Sequence, residues 1–483
     1  MDFTLKPISN ELKLDRIRYE NPWWVTNEVD VLYRDMKQRL YFDLFYPLVE
    51  ETDPKRAVVL MGPRRVGKTV MMYHTIEKLL KNKIVSSDKI CFLNIENPLY
   101  FNMGLEELFA SARLANGINS PNGYYVFFDE IQYLRNWEIH LKVLVDSYPN
   151  TKFIVSGSAA AALKLKSLES GAGRFTDFLL PPLTFHEYIH LKGFNHLIRN
   201  TETQWKGVAT AWKAASNINE VNKHFIDYIN FGGYPEVIFS EKIQADVGRY
   251  IKSDIIDKVL LRDLPSLYGI QNVQELNTFF TMLAYYCGNE LSVETLSSSS
   301  GVNKPTLKKY IDYLEAAFLI KPINRIDESA KKFKRQNFYK MYLTNPSLRS
   351  ALFSPLTLND DALPHMVETA VFSQWLHRIS FTPWYARWKD GEVDIVGLDD
   401  KKLKPLWAVE VKWSNRAFEN PHDELKSLLY FCTKNNLKEA IVTTINKEGS
   451  KLINGIEIKF VPSAIYTYIV GHNSIAGKKA GVF

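Results

Sequence analysis

A phosphate-binding pattern stands between an apolar run and a helical pattern near the start of the chain. The segment GPRRVGKT fits GxxxxGK[ST] and follows the apolar run AVVLM at 57–61. In such a loop, glycine lets backbone N–H groups wrap phosphates, and the N-terminus of the following helix favours negative charge. We expect Lys68 to contact the β- and γ-phosphates of ATP and Thr69 to ligate Mg²⁺; a structural glycine-rich turn is the alternative. The residues assigned to ATP binding in this loop are Gly62, Pro63, Arg64, Arg65, Val66, Gly67, Lys68, Thr69 and Val70.

A second group of polar residues follows two later apolar runs. YYVFF leads into Asp129 and Glu130, and KFIVSGS ends with Ser156 and Ser158. Asp129 would hold Mg²⁺ through water, and Glu130 would polarise the attacking water as general base. Ser158 is assigned to the nucleotide site because a hydroxyl there would contact the γ-phosphate. An exposed acidic strand end and an ordinary Ser-Gly-Ser turn are the structural alternatives.

One arginine, Arg174, stands in the glycine-rich stretch GAGRF just before the apolar run FLLPPL. It is a candidate arginine finger that would stabilise transition-state charge in a neighbouring copy of the chain, so a homo-oligomer is expected. A plain surface position is the alternative, and Arg64 and Arg65 compete for contacts to nucleotide or partner.

A second constellation lies in the C-terminal part, where two apolar-rich runs flank the polar turn 399–404. The pattern predicts a hairpin that places Asp394 opposite Glu410, with Lys412 on the same face. In a metal-dependent phosphodiesterase such carboxylates hold Mg²⁺ and the lysine orients or deprotonates the attacking water. A solvated hairpin face with a Glu–Lys pair is the alternative.

The elements that position these residues follow from the periodicity of the chain. Between 57 and 190, short apolar runs alternate with helical patterns, which predicts a parallel sheet covered by helices. From about 200 to 290 the pattern is helical with few strand signals. Residues 291–320 predict a helix-turn-helix that turns at Gly301, and strands and helices alternate again from 346 onward.

Several motifs together resemble bacterial and archaeal ATPases of the AAA+-like superfamily, in which a region formerly of unknown function follows the ATPase core. The similarity spans roughly 20–450, and Asn345-Pro346-Ser347 stands where relatives often show Asp-Pro-Gly. The motifs are GPRRVGKT, VFFDEIQ, SGS, GRF, LPPLTFHEY, FGGYPEV, DIIDKVLLRDL and KMYLTNPSL.

The resemblance implies a multidomain α/β protein. The expected parts are an N-terminal extension (1–50), a P-loop core with a parallel sheet (51–195), a helical lid or linker (196–288), a winged helix-turn-helix (289–345) and a C-terminal α/β domain similar to PD-(D/E)xK nucleases (346–483). In the last part, Glu368 would join Asp394 and Glu410 as a metal ligand. The basic run KKFKRQNFYK at 331–340 would form a wing that follows a phosphate backbone; a module that only packs between domains is the alternative.

Composition excludes other classes. The 483 residues are 46% hydrophobic, carry a net charge of +6 and include three separated cysteines, which we expect to be buried. This excludes a disordered chain, a disulfide scaffold and a zinc ribbon. No apolar stretch approaches ~18 residues, so we expect a cytoplasmic protein without a membrane partner.

The expected function is Mg²⁺-dependent ATP hydrolysis that controls a nuclease-like module acting on nucleic acid. The alternative is a regulatory or signalling ATPase in which that module binds a partner and does not cleave. ATP and Mg²⁺ are the expected cofactors, and whether the nuclease-like site cuts is left open.

Overall fold

The chain divides into two compact units, Met1–Leu180 and Pro181–Phe483. The structure, a computed structural model, describes residues 9–158, 173–205, 208–332, 337–377, 382–399, 401 and 404–476.

In its described residues, the first unit contains a parallel sheet of five strands in the order β2-β3-β4-β1-β5. Its strands are β1 (Ala57–Met61), β2 (Ile90–Asn94), β3 (Tyr125–Asp129), β4 (Lys152–Gly157) and β5 (Phe175–Leu179). Its helices are α1 (Asn10–Glu20), α2 (Trp23–Thr26), α3 (Val31–Arg34), α4 (Phe42–Glu50), α5 (Lys68–Lys81), α6 (Leu105–Ala115) and α7 (Trp137–Ser147). β1 and β3 are buried along their whole length, which explains their unbroken apolar runs.

The N-terminal helices cover the open edge of this sheet. Trp23 and Trp24 both donate through Nε1 to the carbonyl of Ile90, at 3.0 and 2.7 Å. The Asn21 side chain donates to the carbonyl of Phe92 at 2.8 Å and accepts from its N–H at 2.6 Å. β2 therefore has hydrogen-bond partners on the side where the sheet ends.

The second unit is built around one large mixed sheet in the order β15-β16-β14-β13-β12-β11-β9-β10-β8, with a separate hairpin of β6 and β7. Its strands are β6 (Ile198–Trp205), β7 (Val208–Ala215), β8 (Glu290–Ser292), β9 (Ile320–Ile326), β10 (Phe338–Leu343), β11 (Trp384–Trp388), β12 (Gly391–Leu398), β13 (Pro405–Glu410), β14 (Glu439–Thr444), β15 (Gly449–Ile453) and β16 (Ile456–Pro462).

The helices of the second unit lie between and beside these strands. They are α8 (Phe185–Lys192), α9 (Ile218–Phe231), α10 (Pro235–Ile238), α11 (Glu241–Ala245), α12 (Leu264–Tyr268), α13 (Val273–Tyr285), α14 (Val293–Ser300), α15 (Lys304–Ala316), α16 (Ser347–Leu352), α17 (Leu363–Ser373), α18 (Arg416–Glu419), α19 (Pro421–Glu424), α20 (Lys426–Lys434) and α21 (Ser463–Ile475). Gly248–Asp257 and Val259–Asp263 are π-helical.

The expectation of a helical segment from 196 onward is wrong for its first part. Ile198–Trp205 and Val208–Ala215 form an antiparallel ladder instead. Trp212 and Ala214 are buried while Lys213 between them is half-buried, so one face of this hairpin packs and the other faces outward. The packed face holds Arg199 and Thr201 opposite Ala214 and Trp212, and the outer face holds Ala209 and Ala211, so polar and apolar residues do not alternate clearly in the sequence.

The expected domain boundaries and the observed units differ in two places. Residues 181–195 of the expected P-loop core belong to the second unit. β9 pairs in parallel with β11, so strands from the expected winged helix and from the expected nuclease-like domain share one sheet. The boundary between 345 and 346 therefore does not coincide with a break in that sheet, and the separate domains stay predictions.

Two further expectations concern burial and membranes. Cys91, Cys287 and Cys432 are buried free thiols, as expected. Within the part of the chain that the structure describes, no helix has both the length and the hydropathy needed to cross a bilayer.

Candidate functional site

The phosphate-binding loop joins β1 to α5 at the carboxyl edge of the first sheet. Gly67 has φ +94° and Arg65 has φ +132°, so the loop uses backbone conformations that ordinary residues rarely adopt. A Cβ at Gly62 would lie 2.1 Å from the carbonyl oxygen of Leu180, so only glycine fits there. Lys68 is buried and donates to the carbonyls of Gly62 and Pro63, at 3.1 and 2.9 Å. The loop is thus closed on its own lysine.

Neighbouring residues hold the rest of the loop in place. Val66 is buried, and its carbonyl accepts a 2.6 Å hydrogen bond from Arg39, which is itself buried. Arg64 donates to the hydroxyl of Tyr133 at 3.2 Å. Val70, in the first turn of α5, is half-buried. Arg39 was not predicted, because it lies 27 residues before Val66 with no motif around it.

Asp129, at the end of β3, connects the loop to β4. Its Oδ2 accepts from Thr69 Oγ1 at 2.7 Å, and its Oδ1 accepts from Ser156 Oγ. Ser156 Oγ also accepts from the N–H of Glu130 at 3.1 Å. Burial raises the pKa of Asp129, and the adjacent Glu130 charge raises it further, against the lowering effect of the Ser156 and Thr69 hydroxyls and Lys68.

Glu130 is held by a residue that sequence analysis missed. Glu130 has φ +56°, and its carboxylate accepts from Gln132 Nε2. The same Nε2 donates to Ser158 Oγ at 2.9 Å, while Gln132 Oε1 accepts from the Ser158 N–H at 3.2 Å. Gln132 therefore links the two residues assigned as general base and γ-phosphate contact. Gln132 is the last residue of the motif VFFDEIQ, but that motif assigned no role to its side chain.

Arg174 lies at the other end of the sheet. Its carbonyl accepts from the N–H of Ala57, the first residue of β1, whereas the loop follows the last residue of β1. Five residues of strand separate the two, about 17 Å at ~3.3 Å per residue. Its guanidinium donates to Asp146 at 2.8 and 3.0 Å, and both side chains are partly exposed. Arg174 thus does not reach the loop of its own unit, and its role as a finger stays a prediction about a second copy.

In the second unit, the hairpin of β12 and β13 brings the C-terminal constellation together. Ile395 pairs with Val409, the register that was predicted from the sequence. Asp394 Oδ2 accepts from the N–H of Val411 at 2.9 Å, and Lys412 Nζ lies 2.7 Å from Glu410 Oε1.

A lysine that was not assigned to this site lies among its carboxylates. Lys340, on β10, has its Nζ 2.9 Å from Glu368 Oε1, 3.1 Å from Asp394 Oδ1 and in contact with Glu392. Its side chain is 4% exposed. The Tyr342 hydroxyl also donates to Glu368. The expectation that Lys340 follows a phosphate backbone is therefore wrong: its ammonium is buried.

The charges of this cluster shift one another's protonation. Burial alone would raise the pKa of Asp394, but Lys340, Lys412 and the Val411 N–H outweigh burial and lower it. Burial raises the pKa of Glu368 and of Glu410, and the Asp394 charge raises both further.

The cluster does not have the form expected of a metal site. Across the described residues, no three His, Cys, Asp or Glu side chains are arranged to hold a metal ion. Glu368, Asp394 and Glu410 are near one another, yet the position that two of them share is taken by the Lys340 ammonium.

Cations of the basic run 331–340 and of α15 have mixed positions. Lys332 lies over the ring of Trp384 at 4.4 Å, and Lys304 pairs with Glu294 at 2.9 Å. Lys308 and Lys309 are exposed on α15. Residues 333–336 of the basic run lie outside the described residues.

The comparisons with known proteins cover both units. A family model described as an AAA domain matches residues 54–189, and a model described as a domain of unknown function matches residues 222–361. An uncharacterized protein of Methanocaldococcus jannaschii is 26% identical over 414 residues, 83% of this chain and 84% of that protein. An uncharacterized protein of Haemophilus influenzae is 25% identical over 423 residues, 86% of this chain and 95% of that protein.

The ORC2 protein of Aeropyrum pernix, in ADPNP and ADP complexes, is 14% identical with a TM-score of 0.34, over 61% of this chain and 88% of that one. This TM-score is too low to support a conclusion. The AAA-domain match contains the phosphate loop, Asp129 and Glu130, and together with the parallel sheet it supports a P-loop ATPase domain in this part of the chain.

Proposed function

We propose that the chain hydrolyses ATP with Mg²⁺ at the loop 62–70, and that its nucleotide state controls the C-terminal nuclease-like module. The observation that carries the first part is the contact of Thr69 and Ser156 with the two carboxylate oxygens of Asp129. It places a hydroxyl, a carboxylate and the loop lysine at one edge of the sheet, as Mg²⁺-dependent phosphoryl transfer requires.

The residues present fit Mg²⁺ and ATP. The left-handed Gly67 and the close approach of Gly62 to Leu180 form a backbone loop suited to phosphates. Thr69 and Asp129 would hold the metal, whose charge neutralises the phosphate oxygens when it is bound. Lys68, which donates to two loop carbonyls, would exchange them for phosphate oxygens. Glu130 would accept a proton from the attacking water.

The test of ATP hydrolysis is Lys68→Ala, measured as phosphate release with Mg²⁺ and as ATP binding. We expect loss of binding or a fall in hydrolysis of about 100-fold or more, because the lysine charge acts on the transferred phosphate. Lys81→Ala is the matched control, since Lys81 is an exposed lysine at the far end of the same helix. An unchanged hydrolysis rate in Lys68→Ala would reject the proposal.

A second candidate is a regulatory ATPase whose nuclease-like module binds a partner without cleaving. It is favoured by the Lys340 ammonium among the carboxylates, where a metal-dependent nuclease needs a divalent cation. Exposed Lys308 and Lys309 on α15 support nucleic acid as the partner.

Cleavage of labelled single- and double-stranded DNA and RNA distinguishes the two outputs. The assay compares wild type and Glu410→Ala with Mg²⁺ or Mn²⁺, with and without ATP. Cleavage that disappears in Glu410→Ala establishes the nuclease. No cleavage beside normal ATP hydrolysis favours the regulatory alternative and makes the binding partner the next question.

A further inference from the structure

We infer that the Lys340 ammonium is a built-in counter-ion that occupies the cation position of the nuclease-like site, so that this site excludes divalent metal ions. The inference concerns only the acid cluster of the second unit and does not depend on ATP hydrolysis.

The Lys340 ammonium lies where three elements of the second unit meet. Lys340 comes from β10, Glu368 from α17, and Asp394 from β12, so three elements place their charged groups at one point. The Nζ distances of 2.9 and 3.1 Å to two carboxylate oxygens are those of direct, charge-assisted hydrogen bonds. With Glu392 as the third partner, all three N–H groups of the ammonium have an acceptor.

Lys340 and its carboxylate partners Glu368 and Asp394 are buried. The side chain of Lys340 is 4% exposed, and those of Glu368 and Asp394 are 11% exposed. A buried ammonium is costly unless it is paired with carboxylates. Removing it would in turn leave those buried carboxylates without a counter-charge. The ammonium is therefore not a mobile surface cation that a metal ion could displace at little cost.

Other carboxylates of the cluster also contact cations of the protein. Glu410 is paired with Lys412, and Glu392 also contacts Arg387. Each carboxylate of the cluster thus has a protein cation within contact distance. A divalent ion entering beside Lys340 would meet a like charge and carboxylates that each already contact a cation, so the attraction of this acidic site for Mg²⁺ is weakened.

Lys340 lies on β10, outside the hairpin of β12 and β13 that carries Asp394 and Glu410. Its ion pairs with Glu368 and Asp394 connect β10 to α17 and β12. The nuclease-like fold would then serve as a scaffold for binding.

The first experiment titrates the full-length protein with Mn²⁺ alone, without nucleotide, by isothermal calorimetry and by electron paramagnetic resonance of free Mn²⁺. Wild type and Asp394→Asn are compared. We expect wild type and Asp394→Asn to bind Mn²⁺ equally, because the acid cluster binds none in either protein. A wild-type site with a Kd below about 1 mM that disappears in Asp394→Asn would overturn the inference, whatever the outcome for ATP hydrolysis.

The second experiment removes the ammonium with Lys340→Met. We expect this variant to gain a Mn²⁺ site with a Kd below about 1 mM that wild type lacks, and added Mn²⁺ to raise its Tm but not that of wild type. A folded Lys340→Met protein that gains no Mn²⁺ binding would contradict the inference, because the ammonium would then not be what excludes the metal.

The matched control is Lys459→Met. Lys459 is a buried lysine of the same sheet, and its Nζ donates to the Thr203 hydroxyl and the Gln204 carbonyl. Its replacement should create no Mn²⁺ site. If Lys340→Met does not fold, the wild-type titration against Asp394→Asn still decides the question.

Discussion

At the scale of single residues, the contacts of Gln132 predict how its replacement changes ATP hydrolysis. Its amide links the Glu130 carboxylate to Ser158, so it positions the proposed general base. Gln132→Ala should lower kcat about tenfold while KM for ATP changes little, because orientation of the base affects the chemical step more than binding. Steady-state hydrolysis at varied ATP concentration measures both constants.

The control for Gln132 is Tyr148→Phe, which removes an exposed hydrogen bond to Glu106 in the same unit. This variant should hydrolyse ATP as wild type does. A Gln132→Ala protein whose KM rises while kcat is unchanged would show that the residue supports binding and not the proposed base.

Some residue positions could be predicted from the sequence and others could not. Counting residues around the 399–404 turn predicted the register that brings Asp394 towards Glu410, because both strands belong to one hairpin. Lys340 lies 54 residues from Asp394, on a strand that reaches the site only through the large sheet. No local spacing encodes such a contact, so its charge alone suggested a phosphate-binding role, which was wrong.

At the scale of elements, Asn21 supplies two of the hydrogen bonds on the open edge of β2. Asn21 is 1% exposed and bonds both the N–H and the carbonyl of Phe92. Asn21→Leu should destabilise the first unit by about 2–4 kcal/mol, because each buried polar group left unpaired costs about 1–3 kcal/mol. Urea unfolding measures the loss, and Asn150→Leu, at an exposed position, is the control. Equal stability of the two variants would contradict this role of Asn21.

Element prediction succeeded where burial is two-sided. β1 and β3 are buried throughout, so their apolar runs are continuous and identify a parallel sheet. The hairpin of β6 and β7 was missed because much of each strand is exposed, and because β6 is mostly polar while β7 carries alanines on its exposed side. The pairing of β9 with β11 could not be predicted, because a parallel pairing between distant strands leaves no local pattern in the sequence.

At the scale of the whole molecule, His186 makes stability depend on pH. Burial is the largest cause that lowers the pKa of His186 to about 3, and the nearby His472, His190 and Lys213 act in the same direction. In the unfolded chain the pKa is about 6.5, so below that pH only the unfolded state binds the proton. The resulting stability is present above pH 6.5 and is lost as pH falls towards 3.

The loss attributable to His186 between pH 7 and pH 5 should be about 2 kcal/mol. His186→Phe keeps a ring against Tyr468, whose centroid lies 5.0 Å away, and should make the stability of the second unit less dependent on pH by that amount. Urea unfolding at pH 7, 6 and 5 measures it, with His422→Phe, at an exposed position, as control. An identical pH dependence in wild type and His186→Phe would contradict the prediction.

The position of Arg174 makes a prediction about association between copies of the chain. Because Arg174 lies at the opposite end of β1 from the phosphate loop, it can act as a finger only on another copy. Arg174→Ala keeps an intact loop, and Lys68→Ala keeps an intact arginine. If the finger acts between copies, mixing these two inactive variants should restore hydrolysis well above the sum of their separate rates.

The complementation has an internal control and a clear contrary outcome. The double variant Lys68→Ala/Arg174→Ala cannot donate a finger, so mixing it with Arg174→Ala should restore nothing. Light scattering with a non-hydrolysable ATP analogue should show association, because a finger in trans requires contact between copies. Strictly monomeric protein that hydrolyses ATP normally, with an Arg174→Ala variant as active as wild type, would leave Arg174 as a surface residue bound to Asp146, as the ion pair at 2.8 Å already allows.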